Sequence, residues 1–499
     1  MRYRIILTKG MAEELKKHLL TDRSKEQMAV TLCGVNHFKN ETRLLARHLI
    51  LFPPEAFQTQ SSAYLELDQA VQRQILTLAA SEGLSQIDWH SHPGDSSYIG
   101  FSGTDDHNES KLAAYLHDKI PGTLYGSVVV NRNVFDTRIW ETREDRVQAK
   151  PVESIRWGDF EDVSPFSSRR RNDQETTDEQ YSRQVAAFGK ALQARLRNCK
   201  IGIIGVGGLG GIVVEMLSRL GCDNWVLVDD DVVEVTNLNR LPGSSRRDAY
   251  YRTLKVRLTQ RNIATANPYA KTTILPLTVT NKRVIDSLKS CDLLIVATDN
   301  NSSRLIANRI SVQYLIPLIH IGVNIEVNDD RTITDMSGEY VFPPLGEWCL
   351  QCAGIIDGQM AGWELADEGL RSMLRERGYV KDTPAPAVYH LNGVIAALAV
   401  AEIHNFVFPY KPVHRYLTYD ELKGELLPLE VSNDVRCTIC DNEEGYLGLG
   451  DLEPLPDYEA KPKAIPSSVE IDEGAEDTDL LSPDAPDVEP AILPKEESL

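Results

Sequence analysis

Residues 200–211 read Lys200-Ile201-Gly202-Ile203-Ile204-Gly205-Val206-Gly207-Gly208-Leu209-Gly210-Gly211. The stretch opens as an apolar strand, turns through glycines, and continues as a predicted helix from Ile212 to Leu220. Missing side chains let a phosphate approach the backbone at a helix N-terminus, where negative charge is stabilised. The stretch therefore predicts a nucleotide-binding unit in a doubly wound α/β sheet.

The residues after this turn indicate whether the nucleotide is NAD or ATP. A second predicted strand, Trp225 to Val228, ends at Asp229, where a carboxylate can bind ribose hydroxyls of NAD or ATP alike. The chain then adds phosphate-binding and magnesium-binding groups that nicotinamide binding does not need, which favours ATP and makes an oxidoreductase remote. These groups are Asp231, Asn237, Arg240, Lys255 at the start of a helix, and Asp299 and Asn300 after an apolar strand, with Asp299 as the Mg²⁺ ligand.

From Tyr181 to about Asn442 the chain resembles the ThiF/MoeB and ubiquitin-activating adenylating enzymes. The resemblance implies that ATP and the C-terminal glycine of a ubiquitin-like β-grasp protein bind together and form an acyl-adenylate. Gly205, Gly207, Gly208 and Gly210 would cradle ATP. The family precedent also implies a homodimer in which Arg183 reaches the ATP site of the opposite subunit. The alternative for Arg183 is an ordinary surface arginine on a helix.

Two Cys-x-x-Cys pairs stand far apart in the second half of the chain. Four thiolates in two tight turns are typical of one closed, structural Zn²⁺ site, and two matched pairs argue against a redox dithiol. The other cysteines lie among apolar residues, which suits a reducing, cytoplasmic location. The predicted zinc ligands are Cys349, Cys352, Cys437 and Cys440.

Residues 353–390 contain no cysteine, although many relatives carry a nucleophilic cysteine in the corresponding loop. Three outcomes stay open. The protein stops at the adenylate, a hydroxyl such as Thr383 takes the acyl group, or a thiol on a separate conjugating protein takes it. The scattered cysteines do not supply the nucleophile, because thiols buried among apolar residues are inert.

A second chemical motif lies near the N-terminus, where Asp88-Trp89-His90-Ser91-His92-Pro93 precedes Ser102-Gly103-Thr104-Asp105. Alternate residues of a strand share one face, so His90 and His92 point the same way. Asp105, from a following helix, completes a three-ligand set that leaves a fourth position of a zinc ion for water. Such a site predicts hydrolysis.

Together with Glu26, these residues resemble the JAMM (JAB/MPN) metallopeptidases. The resemblance covers most of residues 1–150 and implies cleavage after the C-terminus of a ubiquitin-like protein. Glu26 would be the general acid/base, with Gln27 as an equally spaced neighbour, and Ser102 would polarise the carbonyl oxygen. Nine residues separate His92 from Ser102, about two more than the family usually has, which predicts a longer loop.

Composition sets the domain boundaries. The formal charge is −20, but residues 451–499 hold fifteen Asp or Glu against three Lys, so the folded part is only mildly acidic. Without a basic stripe, or an apolar run near the twenty residues of a membrane span, we expect no nucleic-acid or membrane partner. The predicted units are an α/β zinc-peptidase domain (1–150), a linker (151–178), a Rossmann-like adenylating domain (179–450) and a disordered acidic tail (451–499).

The leading hypothesis is a bifunctional enzyme of a bacterial-type ubiquitin-like modification system, which trims or removes a modifier and activates its C-terminus. One alternative is activation of a sulfur-carrier protein for cofactor or cysteine biosynthesis. Another is a first domain that only docks the modifier and does no chemistry.

Overall fold

A computed structural model describes residues 1–143, 146–158, 162–165, 179–366, 368–376, 386–432 and 436–455. This part of the chain forms two large β-sheets, each flanked by helices. Both sheets belong to one unit, Met1–Ala460. Most of the predicted acidic tail lies outside the described residues.

The first sheet is mixed and is flanked by helices on both faces. Its region contains β1 (Arg2–Leu7), α1 (Lys9–Thr21), β2 (Met28–Phe38), β3 (Glu41–Leu51), β4 (Phe57–Gln60), β5 (Leu65–Leu67), α2 (Gln69–Glu82), β6 (Ser85–Ser91), α3 (Gly103–Lys119), β7 (Tyr125–Val130), β8 (Phe135–Arg143), β9 (Arg146–Pro151), β10 (Ser154–Trp157) and β11 (Asp162–Val163). The strand order is β11-β10-β1-β3-β2-β6-β7-β8-β9, and β4 pairs only with β5. Neighbours on a strand face opposite sides, so Ala29 enters the core under α1 while Val30 enters the core under α2 and α3.

The second sheet is parallel at its centre and antiparallel at one end. Its region contains α4 (Ser182–Phe188), α5 (Lys190–Asn198), β12 (Lys200–Ile204), α6 (Gly208–Arg219), β13 (Asn224–Val228), α7 (Arg246–Tyr250), α8 (Lys255–Ala266), β14 (Lys271–Leu275), α9 (Lys282–Leu288), β15 (Leu293–Val296), α10 (Asn301–Tyr314), β16 (Leu318–Val327), β17 (Ile333–Val341), α11 (Gly358–Leu365), α12 (Glu368–Glu376), α13 (Tyr389–Val407), β18 (Tyr416–Asp420) and β19 (Glu425–Pro428). The strand order is β14-β13-β12-β15-β16-β17-β18-β19, with β12 to β16 parallel. The order reverses between β12 and β15, which opens a cleft at their carboxyl ends.

Helix α13 has the length and composition of a membrane span, a feature that the sequence prediction missed. However, 67% of its most apolar window is buried inside the protein. Leu391, Ile395 and Ala399 belong to the same apolar core as residues of α6, so α13 is a core helix of the second sheet.

Two segments owe their structure to pairing partners elsewhere in the chain. Helix α2 begins only at Gln69, because Leu65–Leu67 pairs with β4 and the Asp68 side chain then accepts the Ala70 amide hydrogen as an N-cap. Within the predicted linker, β10 pairs in parallel with β1 and antiparallel with β11. In this segment Arg156 is 2% exposed and pairs with Asp162, whereas the basic run of residues 167–173 that indicated a linker lies outside the described residues.

Charged residues join the two sheets. Asp292, just before β15, accepts from Arg4, Arg43 and Arg156 of the first sheet at 3.3 to 3.5 Å. The backbone amide of Lys200, at the start of β12, also donates to Asp292. The first sheet therefore packs against the amino ends of the central parallel strands.

A second connection is made by residues 441–455, which we name the strap. Arg47 of β3 donates to the strap carbonyls of Glu443, Gly445 and Leu447. Further along, Gly450 bridges to Val35 of β2. Although the sequence placed Asp451 in the tail, its carboxylate accepts from the amide of His37, from Lys289 and from Tyr314. The strap thus contacts both sheets.

Candidate active sites

Three of the predicted metal ligands lie together at one end of the first sheet. His90 is near the end of β6, His92 follows it, and Asp105 is in the first turn of α3. Their ligand atoms all lie within 4.8 Å of one another, and His90 Nε2 is 4.0 Å from Asp105 Oδ2. Two imidazoles and one carboxylate on adjoining elements are a donor set that suits zinc with one position open.

Burial keeps the His90 ring in the neutral form that binds a metal. Burial lowers the pKa of His90 to about 4 and also lowers the pKa of His92, so both rings are neutral near pH 7. Within the described chain, His90 Nε2 is buried without a hydrogen-bond partner. A buried polar atom without a partner is costly, and coordination of a metal removes that cost.

Glu26 faces the same cluster, because β2 runs antiparallel to β6 and Met28 lies opposite His90. Glu26 Oε1 is 4.0 Å from His92 Nε2. Burial raises the pKa of the Glu26 carboxyl to about 7, and the nearby Asp105 carboxylate adds to the rise. The alternative, Gln27, directs its side chain to Asp22 instead. The structure therefore brings Glu26 to the histidines, with a pKa suited to proton transfer near neutrality.

Ser102 is the N-cap of α3. Its hydroxyl oxygen accepts the Asp105 amide hydrogen, while its own amide donates to Asp105 Oδ2 at 2.6 Å. This reciprocal capping box orients the carboxylate of the ligand. Through these contacts with Asp105, Ser102 lies beside the cluster despite the longer loop that precedes it.

Sequence reasoning missed the buried polar residues beneath the histidines. Asp88, two residues before His90 on the same strand face, accepts from Gln86 and from the hydroxyl of Tyr125, and burial raises its pKa to about 6. Glu109, one turn after Asp105 on α3, accepts from Ser127, Trp140 and Arg138. The spacing of Glu109 from Asp105 was a signal for a shared helix face.

The glycine turn lies in the cleft where the second sheet reverses its order. Gly205 follows β12 with φ +89°, a conformation that favours glycine. A Cβ on Gly210 would overlap the carbonyl oxygen of Gly205, and a Cβ on Gly208 would come within 3.0 Å of the Arg240 side chain. Gly207 is the N-cap of α6. The turn is thus closely packed and leaves the helix N-terminus for phosphate.

Acidic and basic residues border this turn. Asp229 accepts from the amides of Val206 and Asp231, and burial raises its pKa. Lys255 Nζ lies 2.9 Å from Asp231 Oδ2. Burial opposes the charge of Lys255, but Asp229 and Asp231 raise its pKa above the usual range. Lys255 therefore stays a cation beside the candidate ribose-binding carboxylate.

The other predicted ATP residues lie around the same cleft. Asn237 forms a reciprocal cap with Glu234, and Arg240 donates to the carbonyl of Thr236. Asp299 follows β15 and acts electrostatically on Lys255. Asn300 caps α10 by accepting the Ser303 amide hydrogen. Arg183 is exposed on α4.

The four predicted zinc cysteines converge. The Sγ atoms of Cys349 and Cys352 are 3.8 Å apart, those of Cys349 and Cys437 are 3.8 Å apart, and those of Cys352 and Cys440 are 3.6 Å apart. Zn–S bonds of about 2.3 Å in a tetrahedron place sulfur atoms roughly 3.8 Å apart, so the cluster fits zinc. The loop that includes Thr383 lies outside the described residues.

The remaining cysteines are buried and unreactive. Cys33, Cys199, Cys222 and Cys291 are all at most 4% exposed. Burial raises the pKa of Cys33 and of Cys291 to about 12, and it raises the pKa values of Cys199 and Cys222 as well. Since the thiolate is the nucleophile, none of these four is suited to carry an acyl group.

Three known proteins similar to this chain are named as adenylyltransferases or as a modifier-activating enzyme. The Sulfur carrier protein ThiS adenylyltransferase of Bacillus subtilis is 31% identical over 142 residues, which are 28% of this chain and 42% of that protein. The Ubiquitin-like modifier-activating enzyme 5 of Drosophila willistoni is 26% identical over 327 residues, 60% of this chain and 71% of that protein. The Adenylyltransferase and sulfurtransferase UBA4 of Meyerozyma guilliermondii is 31% identical over 142 residues, 28% of this chain and 33% of that protein.

The chain thus spans less than half of the length of two of these three relatives. The model of the ThiF family matches residues 181–439, more than half of the chain, and this range contains the glycine turn and three of the four clustered cysteines. This chain belongs to the ThiF family.

Proposed function

We propose that this chain is a bifunctional enzyme of a bacterial-type ubiquitin-like modification system. Its ThiF unit uses ATP to adenylate the C-terminal glycine of a ubiquitin-like β-grasp protein. Its first sheet carries a zinc site that hydrolyses the bond after that glycine. The observation that carries the adenylating half is the meeting of the glycine turn, Asp229 and Lys255 at the point where the sheet reverses its order.

The roles of the residues in adenylation follow from their positions. The glycine turn and the N-terminus of α6 bind phosphate, and Asp229 binds the ribose. Lys255 and Arg240 neutralise phosphate charge while pyrophosphate leaves, and Asn237 supports the same loop. Asp299, with Asn300 beside it, would hold magnesium. The terminal carboxylate of the modifier attacks the α-phosphate.

The zinc half rests on the unpartnered Nε2 of His90 beside His92 and Asp105. When bound, zinc supplies a Lewis acid and a water of low pKa. Glu26, whose pKa is near 7, takes a proton and passes it to the leaving amine. The hydroxyl of Ser102 orients the carbonyl oxygen of the substrate.

The adenylating half is tested by ATP/pyrophosphate exchange with small β-grasp proteins that end in glycine. We expect the wild-type chain to exchange label only when such a protein is present. Asp299→Ala should reduce the exchange by at least tenfold, because the metal ligand is lost. Asp329→Ala, at an exposed turn between β16 and β17, is the matched control and should exchange as wild type does. Failure of every such β-grasp protein to support exchange would contradict the assignment.

Activation of a sulfur carrier is the second candidate. Two of the relatives are named for adenylyl transfer in sulfur-carrier or sulfurtransferase chemistry, and residues 353–390 contain no cysteine to hold a thioester. In this reading a sulfide-level sulfur nucleophile attacks the acyl carbon of the adenylate, AMP leaves, and the carrier departs as a thiocarboxylate. Isotopic sulfur in the carrier terminus would favour it, whereas transfer to a thiol of a conjugating protein would favour the modifier reading.

Two further parts of the proposal concern assembly. In a homodimer, the exposed Arg183 would reach the ATP site of the opposite subunit, and concentration-dependent exchange would report this. In the alternative reading, the first sheet serves only as a docking module for the modifier. A zinc-loaded protein that binds the modifier and never cleaves it would favour docking.

A further inference from the structure

Helix α3 supplies one metal ligand, and a side chain from another strand lies across its first two turns. Asp105 is followed by Asp106 and, one turn later, by Glu109. Arg138 of β8 pairs through Nη1 with Asp106 Oδ1 and donates through Nε to Glu109 Oε2 at 2.9 Å. One planar guanidinium therefore binds carboxylates on both turns of α3, a geometry that the point charge of lysine does not reproduce.

The same guanidinium also lies over Phe101, whose ring is next to the ligand His90. Arg138 lies 3.8 Å from the ring centroid of Phe101, and the Phe101 ring lies 6.2 Å from the ring of His90. On its other side, Arg138 lies 4.8 Å from the ring of Trp140. Its side chain is only 12% exposed. Stacking in such a partly dry position holds the guanidinium in one orientation.

Glu109 anchors this arrangement to the sheet. Its Oε2 accepts from the hydroxyl of Ser127 on β7 and from Trp140 Nε1 on β8, and the residue is 8% exposed. A carboxylate at this depth needs its counter-charge, which Arg138 provides. Helix α3 is thereby tied to the sheet through Arg138, which binds Asp106 and Glu109.

We propose that Arg138 is the positioning residue that sets the place of the Asp105 carboxylate relative to the two histidines. The proposal rests on the zinc site of the proposed function. Arg138 does not coordinate the metal. It holds α3 so that the capping box of Ser102 presents Asp105 Oδ2 toward His90. Groups that orient a ligand in this way typically contribute one to two orders of magnitude to metal affinity.

The test measures zinc binding to the purified full-length chain by competition with a chelator. We expect the wild type to bind two zinc ions, one at the four cysteines and one at the histidines. Arg138→Lys keeps the charge but loses the planar fork, so it should weaken the second ion about tenfold. Arg132→Gln is the control, because Arg132 is exposed and donates to the carbonyl of Leu20, away from helix α3, and it should bind zinc as wild type does.

Asp106→Asn separates positioning from a loss of folding, since the Asp106 side chain is 60% exposed and its removal leaves the core intact. This variant should weaken the second zinc several-fold, and the double variant with Arg138→Lys should bind no more weakly than Arg138→Lys alone. Losses that multiply, or wild-type affinity in Arg138→Lys, would overturn the role of Arg138. A wild-type chain that binds one zinc would overturn the zinc site itself.

Discussion

The roles proposed for Glu26 and for the histidines that it faces can be tested separately, because loss of a proton carrier and loss of a metal ligand have different effects. Glu26→Gln keeps the shape of the side chain but removes its basicity. We expect this variant to retain two zinc ions and to cleave a modifier fusion at least a hundredfold more slowly, in line with the usual contribution of a general base. His90→Ala should lose one zinc ion and cleavage together.

The control for this experiment is Glu55→Gln, an exposed carboxylate in the same part of the chain. It should change neither zinc content, measured by metal analysis, nor cleavage, measured by mass spectrometry of the products. Cleavage by Glu26→Gln at the wild-type rate would assign the proton transfer to another group.

The sequence predicted His90, His92 and Asp105 as a set because their geometry is local. Strand alternation aligns the two histidines, and a polar cap places the aspartate in the first turn of a helix. Arg138 carries no such signal, since only the pairing of β7 with β8 brings it over α3. Asp88 was visible in the motif, but its buried role depends on Tyr125, from a different strand.

At the scale of elements, the strap packs so closely against β2 that it leaves no space for a larger side chain. Gly34 of β2 has no room for a side chain, because a Cβ there would overlap the backbone carbonyls of Gly448 and Leu449. Gly34→Ala should therefore lower the free energy of unfolding by about 2 kcal/mol, the usual cost of overpacking. Urea unfolding followed by circular dichroism measures this change.

Gly10→Ala is the matched control, because a Cβ at this position of α1 meets nothing within 4 Å. It should leave the unfolding midpoint unchanged or slightly higher, since alanine favours a helix. Equal destabilisation by the two substitutions would show that close packing of the strap against β2 is not the cause.

Elements with their own start signals were predicted well, and elements defined by distant partners were not. The glycine turn, the strand that ends at Asp229 and the helix that begins at Lys255 all occur where the sequence indicated. By contrast, β10 is a strand only because β1 lies beside it, and its charged residues are paired by Asp162 and Asp292. A single sequence does not reveal such partners.

For the whole molecule, Asp292 is the carboxylate on which the charged contact between the sheets depends. Arg43 is 3% exposed at its side chain and Asp292 is 14% exposed. Asp292→Asn would leave three arginines short of a counter-charge, so we expect a loss of about 3 kcal/mol in the free energy of unfolding. These residues line a cavity of about 930 Å³.

Asp286→Asn provides the comparison, since Asp286 is 45% exposed and pairs with Lys282, which is 71% exposed, and with Lys289, which keeps a second carboxylate partner in Asp451. Its cost should stay below about 1 kcal/mol, as for other exposed pairs. Calorimetry of the full chain distinguishes the two variants, and equal midpoints would mean that the arginines find other partners.

The direction in which the two sheets are joined also separates the two proposed reactions in space. Along β2, Met28 lies opposite His90, whereas Asn36 donates to Lys289 of the second sheet, and a strand of this length covers about 27 Å. The ATP cleft lies beyond, at the far end of β12. An extended tail of about 3.5 Å per residue would need roughly eight residues even to reach the junction. Under the proposed function, a modifier docked at the zinc site would therefore have to be released before its glycine entered the ATP cleft of the same chain.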